Sequence, residues 1–212
     1  MANDDEEFDS YEQSERARKW FQTNGGSLVI AVLAAMALIW GYKGFQNNKV
    51  LSTEQAGLNF QAVAAAIESK NDAQISQLST EIRKSYGATT YAALAGLAEA
   101  KYLAENGKAP AAETALRLAQ NAGTSPQIRV LATLRLARLM NGQGKAQEAL
   151  DLLKTVQDDG FKAQTQEQRG DAYAQLGKVV DAKAAYASAL TATDLASPGR
   201  STLQQKIDNL SG

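Results

Sequence analysis

The sequence predicts an all-α protein in which a single N-terminal transmembrane helix is followed by an α-solenoid. Three observations support this fold class. An uncharged run of 23 residues lies near the N-terminus. The remainder is rich in Ala, Leu, Gln, Glu and Lys and the whole chain has only three prolines, a composition that favours helices. One spacing pattern around a Gly-Lys pair then occurs three times, as expected of stacked helix pairs.

The uncharged run extends from Trp20 to Tyr42 and has the apolar centre LVIAVLAAMALIWGY. At about 1.5 Å rise per residue, a helix of this length reaches across the roughly 30 Å hydrocarbon core of a bilayer. Aromatic residues favour the headgroup level of the membrane, and Trp20 and Phe21 at one end and Trp40 and Tyr42 at the other are candidate interface anchors.

Two other interpretations of this run are disfavoured. A cleaved secretory signal would need a small-x-small cleavage site followed by a polar mature end, and would not follow a long acidic leader. A buried core helix would need apolar flanks to cover it, and neither flank is apolar. We therefore predict a transmembrane helix over residues 20–44.

The leader, residues 1–19, carries seven acidic side chains against Arg16, Arg18 and Lys19. It has too few aliphatic residues to fold alone, so it is either a solvated tail or a segment that folds on a partner. Three basic residues precede the apolar run and two, Lys43 and Lys49, follow it. The positive-inside rule then favours a cytoplasmic tail with a basic juxtamembrane end, and a periplasmic domain over residues 45–212.

The domain after the anchor reads as consecutive helices. Residues 45–70 are predicted to form the first helix, either continuous with the anchor or interrupted at Asn47 and Asn48, and residues 73–86 are predicted to form the second. Helix pairs are then predicted over residues 88–121, 125–156 and 165–190, with a last helix over 198–210. Proline in a first turn and glycine just after a last turn mark the helix ends.

The three pairs share one pattern around the turn glycines Gly107, Gly144 and Gly177. The glycines are 37 and 33 residues apart, which brackets the period of about 34 residues typical of tetratricopeptide repeats. Small residues where two helices cross allow a close approach, and larger residues fill the groove beside them. Counted from each glycine, the pattern has a small residue at −7 (Ala100, Ala137, Gly170), a larger one at −4 (Leu103, Met140, Tyr173), Ala at +5 (Ala112, Ala149, Ala182), a large one at +9 (Leu116, Leu153, Tyr186) and a small or β-branched one at +12 (Ala119, Val156, Ala189).

Almost the whole chain resembles the YfgM family, the ancillary subunit of the bacterial SecYEG translocon. The matching segments, in order, are RKWFQTNGG, IWGYKGFQ, KSYGATTYAALAGLAEAKYLAENG, IRVLATLRLARLMNGQGKAQEALDLL, QRGDAYAQLGKVVDAKAAYASAL and QQKIDNLSG. The resemblance implies a single-pass inner-membrane protein with a periplasmic repeat domain. It also implies association with the translocon and with a PpiD-like periplasmic chaperone, transfer of exported polypeptides to periplasmic chaperones, and restraint of a cytoplasmic stress-response regulator through the acidic tail.

Composition disfavours catalysis. Without histidine the commonest general base and metal ligand is missing, and without cysteine there is no thiol nucleophile or thiolate metal site. The arginines of the repeats lack the interleaved aromatics typical of nucleic-acid binding. We expect no enzyme activity, no cofactor and no nucleic-acid partner.

The first helix of each pair lines the concave face of such a solenoid. In that geometry four residues are predicted to form a groove that binds a peptide or partner: Lys101, Arg138, Asn141 and Asp171. The alternative is that Arg135 and Arg138 only flank the core with solvated heads. Together these features predict a membrane-anchored adaptor. The alternatives are a structural scaffold of an envelope complex and a signalling protein that acts through its acidic tail.

Overall fold

The computed structural model describes residues 4–122 and 125–210; the side chains of residues 4–14, 17 and 28 lie outside this description, and with them most of the predicted acidic tail. Every element in the described ranges is helical, which confirms the all-α fold class. The helices are α1 (Asp4–Glu68), α2 (Asp72–Tyr86), α3 (Thr90–Glu105), α4 (Ala109–Asn121), α5 (Pro126–Gly142), α6 (Ala146–Leu153), α7 (Lys162–Gln175), α8 (Val179–Ala192) and α9 (Gly199–Asn209), with a 3₁₀ turn at Asp159–Phe161.

Helix α1 runs past the predicted anchor without a break at Asn47 or Asn48. No proline interrupts it, and the residues that follow the anchor include many good helix formers. Within the described residues, its stretch Val29–Glu68 is long and apolar enough to cross a membrane, and its most apolar part is not buried against the protein. The chain forms two compact units that divide after Leu51. The domain limits placed at residues 19 and 44 remain predictions.

The second unit begins at Ser52 and is called the repeat unit below. Its helices are stacked in the order of the sequence. Each helix from α2 to α9 packs against the next, and the first helices of successive pairs, α3, α5 and α7, also contact one another. This pattern of contacts is that of an α-solenoid, in which each repeat touches its neighbours only. The first-helix contacts bring side chains of α3, α5 and α7 onto one side of the stack.

The three turn glycines adopt the same conformation, with φ angles of +74°, +77° and +70° at Gly107, Gly144 and Gly177. In each turn the N–H of the lysine after the glycine donates to the carbonyl five residues earlier, at 2.8 to 2.9 Å. This is the Schellman arrangement, which needs a left-handed residue and therefore favours glycine. The same local chemistry thus ends the first helix of every pair.

The repeated small positions lie where the helices cross. The six residues at positions −7 and +5 from the turn glycines are all buried: Ala100, Ala137, Gly170, Ala112, Ala149 and Ala182. The closest approach is at Gly170, where an added Cβ would stand 2.4 Å from the ring of Tyr186. Ring and glycine are therefore matched in size across the α7–α8 crossing.

Both ends of the repeat unit are closed by side-chain contacts. At the beginning, Val63 of α1 and Ile82 of α2 pack with Ala92 and Ala95 of α3 in one buried cluster. At the other end, Leu203 of α9 is buried against α8 residues that include Tyr186. Helix α9 buries little else and presents mostly polar residues, as a terminal capping helix of a repeat protein does.

Candidate binding cleft

A cleft of about 630 Å³ lies between the end of α3, the beginning of α4 and the second half of α5. Small and aliphatic side chains form its floor and charged side chains form its rim. The lining residues that matter here are Ala100, Leu116 and Leu139 on the floor and Lys101, Glu105, Arg135 and Arg138 on the rim. This combination can cover an apolar side chain while holding a polar group beside it.

The rim has an excess of positive charge. Lys101 is exposed, and its Nζ lies 3.8 Å from Oε1 of Glu105, one helical turn further along α3. Arg135 and Arg138 are exposed on α5, and neither guanidinium has a hydrogen-bond or ion-pair partner among residues 4–122 and 125–210. The positive charge at the α5 side of the cleft is therefore uncompensated within the described chain.

The structure brings two of the four predicted groove residues, Lys101 and Arg138, into this cleft. Asn141 is only 5% exposed and serves a different purpose. Its Nδ2 donates to the Gln168 carbonyl at 3.0 Å, and its own carbonyl accepts from Nε2 of Gln175 at 2.8 Å. Asn141 thus joins α5 to α7 and is not accessible to a peptide in this arrangement.

Asp171, the fourth predicted residue, is half-buried and already bonded. Its Oδ1 accepts from the Tyr186 hydroxyl and from Nζ of Lys206, both at 2.7 Å. Lys206 also donates to Glu167 at 2.8 Å and lies 5.5 Å from the centre of the Tyr186 ring. These contacts fasten α9 to the last helix pair.

Two side chains of this cluster, Tyr186 and Lys206, have raised pKa values. Burial and the hydrogen bond to Asp171 raise the pKa of Tyr186 far above its ordinary value, so the phenol stays protonated. Burial lowers the pKa of Lys206, but the carboxylates of Asp171 and Glu167 outweigh it and raise the pKa above 10.5. The Tyr186 phenol therefore stays neutral and the Lys206 ammonium stays charged at ordinary pH, and the cluster acts as a structural fastening.

Arg135 was predicted only to flank the core, whereas in the structure it lines the cleft beside Arg138. A sequence signal for this was available, because residues three apart on a helix lie on one face. Glu105 was also missed as a rim residue. It could have been found by the same spacing rule applied from Lys101.

The four candidate membrane anchors are each more than half exposed on α1. Trp40 is the most exposed at 79%, and Trp20 and Phe21 contact each other edge to face with ring centres 5.3 Å apart. Tyr42 accepts a hydrogen bond from Gln46 at 2.8 Å. No packing inside the described protein accounts for these rings, so their role at the membrane interface stays a prediction.

The described ranges contain no group of three or more acidic, His or Cys side chains placed to hold a metal ion. Glu99 is a buried carboxyl whose pKa is raised by burial, while the Arg83 guanidinium, with Nη1 3.2 Å from Glu99 Oε2, opposes the shift. That pair is enclosed between α2 and α3 and lines none of the cleft described above.

Comparison with known proteins agrees with the repeat architecture. The family described as "Tetratricopeptide repeat-like domain" matches residues 18–212. A protein of Escherichia coli (strain K12) named "Ancillary SecYEG translocon subunit" is 27% identical over 94% of this chain and 96% of its own length. Proteins of the same name from Neisseria gonorrhoeae and Aggregatibacter actinomycetemcomitans are 31% and 26% identical, over 90% and 81% of this chain and 91% and 84% of their own lengths.

These matches extend over nearly the whole chain, including the apolar part of α1 and all the helix pairs, and they confirm the resemblance found in the sequence. The chain belongs to the family of ancillary SecYEG translocon subunits.

Proposed function

We propose that this protein is a membrane-anchored, non-enzymatic adaptor that associates with the SecYEG translocon and binds polypeptides in the cleft between α3 and α5. The cleft is the observation that carries the proposal, because it combines an apolar floor with two rim arginines, Arg135 and Arg138, that have no partner in the described part of the chain. The printed names of the relatives support translocon association, and the apolar stretch of α1 is compatible with a single membrane span.

The finer parts of the proposal follow from the family. The acidic tail lies in the cytoplasm and the repeat unit in the periplasm. The repeat unit receives exported polypeptides near the translocon exit and transfers them to periplasmic chaperones, with a PpiD-like chaperone as a membrane partner. The tail restrains a cytoplasmic stress-response regulator. The excess of basic residues before the apolar run, three against two after it, supports this orientation.

Site-specific photo-crosslinking in living cells tests the cleft. A photoreactive amino acid is introduced singly at Lys101 and at Arg138. The two control positions are Gln147 on α6 and Lys154 immediately after that helix. The controls are exposed and lie outside the cleft. We expect crosslinks to many exported polypeptides from the two cleft positions and few from the controls.

The outcomes separate the proposed function from its alternatives. Crosslinks from the cleft to one stoichiometric envelope protein would favour the scaffold alternative. Equal crosslinking from cleft and control positions would rule out the cleft as the binding site. Failure of the full-length chain to co-purify with the translocon from solubilised membranes would contradict the association itself.

A further inference from the structure

We propose that the cleft selects polypeptide segments in which carboxylate side chains stand next to apolar ones, with Arg135 and Arg138 as the residues that bind the carboxylates. This inference deepens the proposed function and rests on it, because it assigns a chemical class to the polypeptide that the cleft binds. It also adds Arg135 to the site.

The first step is the state of the arginines. In the repeat unit four arginine side chains are engaged within the described protein: Arg83 with Glu99, Arg117 with Glu113, Arg169 with the Leu153 carbonyl, and Arg200 with the carbonyls of Leu190 and Thr193. Arg135 and Arg138 have no such partner among the residues described, although they stand in a cleft between helices. Arg129, exposed at the beginning of α5 and outside the cleft, is the one other arginine of this unit that lacks a side-chain partner among the described residues.

The second step is the charge of the cleft. Its rim has three cationic side chains and one carboxylate, a net charge of +2. Lys101 and Glu105 are close enough to offset each other. The uncompensated charge therefore belongs to Arg135 and Arg138, which lie three residues apart on one helix face and repel each other. An anionic ligand would relieve that repulsion.

The third step is the match between these groups and a polypeptide carboxylate. A guanidinium presents paired N–H groups that fit the two oxygens of a carboxylate, and such charge-assisted bonds are among the stronger hydrogen bonds in proteins. The floor beside them is aliphatic, formed by Ala100, Leu116 and Leu139, and offers no aromatic ring on which a nucleic-acid base could stack. An acidic residue next to an apolar one satisfies both parts of the cleft.

The register of the ligand follows from the same geometry. Lys101 and Glu105 on α3 offset each other and give a carboxylate little net attraction, whereas the two arginines on α5 would attract it. The acidic residues of a bound segment therefore lie on the α5 side and its apolar residues lie over the floor. Selection by the arginines would weaken as salt concentration rises, because the rim is exposed.

The test uses the full-length protein in uncharged detergent and fluorescence anisotropy with two labelled dodecapeptides. One contains Asp, Glu and Leu in a Ser-Gly background, and the other has Asn and Gln in place of every acid. The variant is R135Q/R138Q. The matched control is R129Q, an exposed arginine on the same helix whose side chain also lacks a partner in the described ranges and which does not line the cleft.

We expect the acidic peptide to bind about tenfold or more tightly than the neutral one, and R135Q/R138Q to remove that preference while R129Q keeps it. Equal binding of the two peptides to the unchanged protein would overturn the acid selectivity and leave the proposed function standing. An equal loss of preference in R129Q would overturn the assignment to this pair of arginines. Absence of binding by both peptides would overturn the inference, and the cellular crosslinking from Lys101 and Arg138 would then show whether the proposed function fails with it.

Discussion

The substitution Gly170→Ala tests the packing that joins the last helix pair. A Cβ at position 170 would stand 2.4 Å from Cδ1 and Cε1 of Tyr186 and 2.9 Å from its Cζ. The ring cannot easily move away, because it is 3% exposed and its hydroxyl is bonded to Asp171 at 2.7 Å. Accommodating the Cβ therefore requires α7 and α8 to separate and the Tyr186 hydroxyl to give up its hydrogen bond.

Three contributions set the size of the effect. Overpacking of a well-filled interior costs about 1–3 kcal/mol. Loss of the Tyr186 hydrogen bond to a charged acceptor costs about 1.5 kcal/mol. Replacing glycine by alanine inside a helix returns about 1 kcal/mol. We expect Gly170→Ala to lower the free energy of unfolding by about 1.5–3.5 kcal/mol, which for a protein of this size lowers Tm by roughly 3–14 °C.

The assay is thermal and urea unfolding of the full-length protein in detergent, followed by far-UV circular dichroism. Gly142→Ala is the matched control, because Gly142 is the last residue of α5 and an added Cβ there meets no atom within 4 Å. It should be neutral or stabilising by up to about 1 kcal/mol. In a Tyr186→Ala background none of the clashing ring atoms remains, so Gly170→Ala should become neutral or stabilising. An equal destabilisation in both backgrounds would refute the proposed clash.

Two further predictions concern buried charge. Burial raises the pKa of Glu99 above 4.5 against the opposing effect of Arg83, so the folded state binds this proton more tightly than the unfolded state does. Protonated Glu99 therefore contributes its full stabilisation below pH 4.5, and this stabilisation is lost as pH rises through the folded pKa. Glu99→Gln should remove that loss, which urea unfolding at successive pH values would measure. An unchanged pH dependence of the free energy of unfolding in the variant would contradict this. Asp171→Asn removes the carboxylate bonded to Lys206 and Tyr186, and should cost about 1–2 kcal/mol while speeding hydrogen exchange in α9 but not in α3. Unchanged exchange in α9 would show that this cluster does not fasten the last helix.

The helix boundaries illustrate how far local signals reach. Pro126 begins α5 and Pro110 lies in the first turn of α4, and each turn glycine is left-handed as its position in the repeat required. Helix α7 begins at residue 162, three residues before the predicted start. The reason is a short turn in which the Asp158 side chain accepts from the Gly160 N–H at 2.9 Å and leads directly into the helix.

The candidate site illustrates where local signals end. Arg138 and Asn141 are nearly one helical turn apart, and helical spacing alone predicts similar surroundings for them. In the structure Arg138 is exposed in the cleft, whereas Asn141 is covered by α7 and bonded to two of its residues. Asp171 was likewise assigned to an open face, but Lys206 of α9 reaches it.

The amino-acid sequence was enough to predict the all-α class, the apolar helix, the repeated turns and the small residues at the helix crossings. These features depend on composition and on spacings within about 35 residues, so they are visible without any tertiary contact. The accessibility of polar side chains could not be predicted in this way, since it depends on how neighbouring helices cover one another across the stack. The same reason explains why Arg135 joins Arg138 in the cleft while Asn141 and Asp171 hold the repeats together.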